Sequence, residues 1–277
     1  MATASKEQQL RLYYWTLYRA WGRQHWWPAR TRFEVIVGAY LTQNTAWTNV
    51  ERALRQLRSQ SLLNLKGIRD TPLSELEQLI RSAGYFRQKA RRLKTFVAFL
   101  DSHYGGSLSR MFAQPTGKLR EQLLALNGVG PETADSILLY AGQHSVFVVD
   151  AYTRRVLERH AILPAGAKYE EIRALCEQAL NVGTDVPARA MAAGESQLDF
   201  DRPASPDPVA LLQGRGRPRL NGTAHTPSPM SLARRTPVAQ IYNDMHGLIV
   251  GVGKHYCLKS RTKCDECPLQ KFLPGVK

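Results

Sequence analysis

The chain has 277 residues, long enough to bury a sizeable core in one domain or two lobes. It carries 38 Lys and Arg against 23 Asp and Glu, a net charge of +15 that draws it to polyanions; nucleic acid is the expected partner, with ribosome association or a merely solvated basic surface as the plainer readings. No apolar run reaches the roughly eighteen residues of a membrane span, and the opening MATASKEQQLRLYYW lacks a secretory apolar stretch, so the expected place is intracellular, in the cytoplasm at the nucleoid, with no membrane partner.

In chain order, apolar residues recur at three- and four-residue steps over 7–22, 33–43, 46–59, 73–83, 87–103, 118–126, 132–142, 151–160, 168–181 and 238–253, which predicts an all-α fold. Only Val146–Val149 departs, and four residues are too few to choose between a strand and a buried connector. Trp26-Trp27-Pro28 comes before the second predicted helix, and Gln43-Asn44-Thr45-Ala46-Trp47 runs off its end. Taken singly, these tryptophans read as core or helix-interface residues, and Gln43 with Asn44 as a helix end.

The most informative stretch is Leu126-Asn127-Gly128-Val129-Gly130-Pro131-Glu132-Thr133-Ala134. A helix ends, two glycines turn the chain, and a new helix opens with Pro131 near its first position. Backbone N–H groups can converge on an anion there, helped by the positive end of the helix. Sixteen residues after Ala134 stands Asp150, in Val148-Val149-Asp150-Ala151-Tyr152-Thr153-Arg154-Arg155-Val156. By itself Asp150 reads as the N-cap of the helix that follows.

Residues 184–237 hold eight of the fifteen prolines and, in Phe200, a single aromatic; they read as a disordered insertion. Inside it, Gly214-Arg215-Gly216-Arg217-Pro218-Arg219 is similar to an AT-hook for the DNA minor groove, against the plainer reading of a solubilising linker. Of the four cysteines, Cys257, Cys264 and Cys267 lie within eleven residues, a clustering that suits a metal or iron–sulfur site better than a disulfide framework, whereas Cys176 reads as a buried core thiol.

LNGVGPETA followed by VVDAYTRRV resembles the helix-hairpin-helix and Gly-Pro-Asp signature of the endonuclease III superfamily of DNA glycosylases, over about 25–183 and again over 238–273. The resemblance implies a two-lobed fold acting on double-stranded DNA as a monomer. A six-helix barrel would span 34–144, with the hairpin at 126–142. The second lobe would combine 145–183 and 238–277 with the N-terminal 1–33. It makes Asp150 the catalytic carboxylate. Gly128, Gly130 and Thr133 would contact phosphate, as would Lys89 in Gly84-Tyr85-Phe86-Arg87-Gln88-Lys89-Ala90, which is similar to the family's second turn.

Members that also cleave the strand carry a nucleophilic lysine eighteen residues before the aspartate; here Glu132 stands in that place, and a carboxylate cannot form a Schiff base. A monofunctional glycosylase is therefore expected. The WWP and LTQNT stretches resemble the 3-methyladenine glycosylase branch, in which Trp26 and Trp47 would sandwich the flipped base, Trp27 and Glu132 would complete the pocket, and Gln43 would fill the gap in the duplex. Indole faces favour a cationic alkylated base by about 0.5–2 kcal/mol. The cysteine spacing matches the first three ligands of the family's [4Fe–4S] loop, but Leu273 replaces the fourth. A cluster with His255 as fourth ligand, a Cys₃His zinc site and a decayed site all fit that pattern. The alternatives in function are an endonuclease III-type glycosylase/lyase for oxidised pyrimidines or mismatches, and a non-catalytic hairpin DNA-binding protein.

Overall fold

A computed structural model describes residues 5–181 and 225–275. Helix α1 (Lys6–Trp21) starts at Ser5, whose hydroxyl accepts from Gln8 N–H while the Gln8 side chain accepts from Ser5 N–H. Its inward face is Leu10, Tyr13, Tyr14 and Leu17, the three- and four-residue steps read from the sequence. Helix α2 (Arg32–Leu41), capped by Thr31, is buried from Phe33 through Leu41 and runs through the middle of the core. Then come α3 (Trp47–Ser59), α4 (Leu65–Asp70), α5 (Leu73–Leu79), α6 (Phe86–Tyr104), α7 (Leu108–Phe112), α8 (Thr116–Leu124) and α9 (Pro131–Ser136), which widens into a π-turn over Ile137–Ala141. Helices α10 (Ala151–Arg159), α11 (Tyr169–Leu180) and α12 (Pro237–His255) follow among the described residues.

The fold is all-α. Among the described residues no strand forms, and the nearest thing is an isolated bridge between Cys257 and Thr262. Val146–Val149 is a buried connector, held by the Phe147 N–H to Glu177 Oε1 (2.9 Å) and the Val149 N–H to the Tyr169 hydroxyl (3.3 Å). Helices α2–α9 pack together on one side, and α1, α10, α11 and α12 on the other. One continuous hydrophobic core runs through both groups.

One feature departs from the sequence reading of the insertion. Residues 225–236 are ordered and lie along the Gln24–Arg30 loop. The N–H groups of His225 and Met230 donate to Gln24 and Ala29 carbonyls at 3.1 Å each, and Met230 and Ser231 are buried. The segment has few apolar residues, but Arg235 fastens it by donating to the carbonyls of Met230 and Ala233. The remainder of 184–237, with its AT-hook-like stretch, lies outside the described residues. Helices α4 and α7 were not legible in the sequence, because six and five residues give too little periodicity.

Candidate active site

The hairpin is built by α8, the Leu126–Gly130 turn and α9. Gly128 has φ +79°, a left-handed conformation that glycine adopts without penalty, and the Arg92 side chain fills the space a Cβ would need. Among the described hydrogen bonds, the N–H groups of Gly128, Gly130 and Thr133 have no acceptor. A buried charge network stiffens the unit: Arg120 Nε and the Tyr169 hydroxyl donate to the fully buried Asp135 on α9, at 2.7 and 2.9 Å, and Arg120 also meets Glu170 at 2.6 Å.

Gln43 joins α2 to this turn. Its amide donates to the Gly128 carbonyl (3.0 Å) and the Thr133 hydroxyl (2.9 Å), and its carbonyl accepts from Arg92 (2.7 Å). Thr133 is itself buried, so its hydroxyl serves the hairpin. The exposed tip of that loop is the neighbouring Asn44, at φ +53°.

Asp150 caps α10, its Oδ1 accepting from the Thr153 N–H at 2.7 Å, as the plain N-cap reading required. Its Oδ2 lies 3.6 Å from His246 Nε2 on α12. His246 Nδ1 meets the Tyr140 hydroxyl at 2.7 Å. Helix α12 can approach because Gly253 has no side chain; a Cβ there would lie 2.3 Å from the Tyr152 ring. Arg155 then ties the two helices, donating to the carbonyls of Gly253 (2.9 Å) and Cys257 (2.7 Å).

The tryptophans gather on the same side. Trp27 is buried between Trp26 and Trp47, edge to face with each, at ring-centroid distances of 5.9 and 5.1 Å. The Trp26 ring also faces His246 (5.8 Å) and His225 (5.3 Å), and Lys254 Nζ stands 5.8 Å from its centre. Burial lowers the Lys254 pKa, opposed by Asp150 and Glu51. Glu132 is exposed, although protein packs around its carboxyl. Walls of protein around it push its carboxyl up to about 7, with the charge of Asp150 adding to the effect. Asp150, Glu132, Trp26 and Trp27 therefore share one neighbourhood. His246, Tyr140, Lys254 and His225 join them unannounced by any motif; the only hint was a polar triplet, Asn243, Asp244 and His246, interrupting an apolar helix.

Lys89 corrects the expectation of a phosphate contact. It is 1% exposed, and its ammonium donates to the carbonyls of Leu41 (2.9 Å) and Ala83 (2.8 Å), satisfying helix-end oxygens inside the protein. Burial, then the charge of Arg92, lowers its pKa to about 8.

The cysteine loop is organised differently. Cys257 is buried, and its Sγ faces Arg159 (3.3 Å). Cys264 and Cys267 bracket a tight turn, closed by the Cys267 N–H on the Cys264 carbonyl. Burial pushes the Cys267 thiol up to about 11, with Cys257 and Cys264 adding to it. A cubane takes four thiolates, and Leu273 supplies only methyl groups. Among the described residues no three His, Cys, Asp or Glu side chains are grouped to hold a metal ion, with or without His255. Three thiols are one fewer than a four-thiolate cubane takes, and Cys257, Cys264 and Cys267 are not drawn around a common point. Cys176 is a buried free thiol in α11.

A glycine-turned helix pair followed by a helix-capping aspartate beside a cluster of tryptophans is the arrangement of helix-hairpin-helix proteins of DNA base repair. The family described as "HhH-GPD superfamily base excision DNA repair protein" matches residues 37–181. The chain is 37% identical over 253 residues, 91% of its length and 90% of the relative's, to a Methanocaldococcus jannaschii protein named "Putative DNA repair glycosylase MJ1434". It is 29% identical to endonuclease III of Thermotoga maritima over 46% of this chain and 55% of that one. Among solved structures, it matches the H. pylori 3-methyladenine DNA glycosylase MagIII bound to 1,N6-ethenoadenine, with TM-score 0.62 and 25% identity, over 91% of this chain and 98% of the other. A non-covalent endonuclease III–DNA complex shares the fold, with TM-score 0.67 at 19% identity, over 99% of this chain and 96% of the other. The chain belongs to the HhH-GPD superfamily of base excision DNA repair proteins and is a DNA glycosylase of the endonuclease III-like kind.

Proposed function

We propose that the protein hydrolyses the N-glycosidic bond of an alkylated purine flipped out of duplex DNA and leaves an abasic site uncut. The observation that carries this reading is the convergence of Asp150, Glu132 and the Trp26–Trp27–Trp47 group, with no lysine on α9. MagIII, the 3-methyladenine glycosylase whose fold this chain shares over 91% of its length, supports the choice of substrate.

In this mechanism the hairpin holds a phosphate through the N–H groups of Gly128, Gly130 and Thr133, while the damaged base leaves the stack. Gln43 and the exposed Asn44 lie where the extruded nucleotide leaves its gap. For Gln43 to enter that gap, its bonds to Gly128 and Thr133 must open. The base stacks among Trp26, Trp27 and Trp47. Glu132, protonated below about pH 7, donates a hydrogen bond to an acceptor nitrogen of the purine as electrons move onto the leaving base. As the bond lengthens, C1′ takes on oxocarbenium character, and the Asp150 carboxylate stabilises that charge and orients water.

The test uses duplexes carrying N3-methyladenine, thymine glycol or an A·G mismatch, scored for released base and for strand breaks before and after alkali. Methyladenine release with breaks only after alkali is the expected result. Release confined to thymine glycol or the mismatch overturns the substrate assignment, and breaks without alkali overturn the hydrolytic one.

A further inference from the structure

His246 is buried in α12 among apolar neighbours and belongs to no motif. Tyr140, from the π-turn after α9, is fully buried, and burial with the charge of Asp150 holds its pKa well above the usual 10. The phenol keeps its proton, and the acceptor in reach is His246 Nδ1 at 2.7 Å. A neutral imidazole that accepts at Nδ1 carries its own proton on Nε2. Burial lowers the His246 pKa against the opposing charge of Asp150, and so favours the neutral ring. Its Nε2 is a buried donor without a hydrogen-bond partner, 3.6 Å from Asp150 Oδ2. That gap is too long for a hydrogen bond, whereas Oδ1 is already fixed at 2.7 Å by the Thr153 N–H.

We infer that His246 is a positioning residue: its Nε2–H closes onto Asp150 Oδ2 when the flipped nucleotide enters, and so locks the carboxylate plane against C1′. This rests on the assignment of Asp150 given above. A buried donor left unpaired is costly, so a hydrogen bond completed only in the substrate complex adds stabilisation where turnover needs it. Tyr140 fixes the tautomer. The charged and titratable groups around the pair are few. Asp150 and Tyr140 face His246 directly, Glu132 and Lys254 act on Asp150, and Arg235 and Glu132 act on Tyr140; the Trp26 and Phe147 rings close the remaining sides.

Two amides separate positioning from packing. In His246→Gln the side-chain amide reaches the Nε2 position and can donate to Asp150, but the Tyr140 contact is lost. In His246→Asn the amide sits near Nδ1 and keeps Tyr140, but cannot reach Asp150. On alkylated duplex under single-turnover conditions, Asn is expected to lose about 10- to 100-fold in rate with little change in DNA Kd, and Gln to recover most of that loss. Tyr140→Phe removes the donor that fixes the tautomer and lets the ring proton move to Nδ1, so it should lose rate in the same direction as Asn, with little change in DNA Kd. Asn matching or exceeding Gln, with Tyr140→Phe at the wild-type rate, would mean that His246 only holds helices together, and would overturn the inference. If the wild-type protein releases no base from any duplex of the panel, the Asp150 assignment fails first and takes this inference with it.

Discussion

The hairpin with Asp150 and the cysteine loop both look like family signatures in the sequence, yet they meet different fates in the fold. Around the hairpin each signature residue finds neighbours that hold it: Arg120 and Tyr169 grip Asp135, Gln43 and Arg92 brace the turn, and Thr153 with His246 frames Asp150. In the cysteine loop, Cys257 faces a guanidinium, and the fourth place belongs to a leucine. The contrast teaches that residues of a motif keep a fixed geometry only where neighbouring groups hold them, as they do around the hairpin and much less around the cysteines.

The strongest blow to that contrast would come at Arg120. Replacing it by Met leaves the Asp135 carboxylate buried without its cation, and the expected loss is about 3–5 kcal/mol of unfolding free energy, read by chemical denaturation. A loss below about 1 kcal/mol would show that the hairpin does not depend on this network.

Glu132→Gln gives a smaller, pH-dependent effect. The wild-type carboxyl is protonated below about pH 7 and loses its proton above it. Base release should therefore decline as pH rises through 7, while the Gln variant stays flat across that window and differs by less than about tenfold below it. A wild-type profile without that decline would remove Glu132 from the chemistry.

Least of all should follow from Cys264→Ser. A stability change within about 0.5 kcal/mol, unaltered base release, and no stoichiometric iron or labile sulfide in the native protein are expected. Iron found in the native protein and lost in the variant would place the cysteine loop beside the hairpin as a working site.

The long helices were legible because their apolar periodicity spans several turns, as in α1 and α6. Asp150 was legible because its helix cap and its family signature coincide. Lys89 misled, since the sequence gives a lysine near a turn but not the direction of its side chain, and this one points inward to two helix ends. The ordered 225–236 segment was hidden because its order comes from backbone bonds to a loop about two hundred residues away in sequence, such as Met230 to Ala29. His246 escaped for the same reason: its partner Tyr140 is 106 positions distant, and no local pattern announces the pair.

The most direct test of the central claim is base release by Asp150→Asn, measured beside its affinity for the same alkylated duplex. Asparagine caps a helix about as well as aspartate, so folding and DNA affinity should hold. Turnover should fall by at least about 100-fold once the charge beside C1′ is gone. Release that continues near the wild-type rate would show that another group does the chemistry and that Asp150 is no more than the cap of its helix.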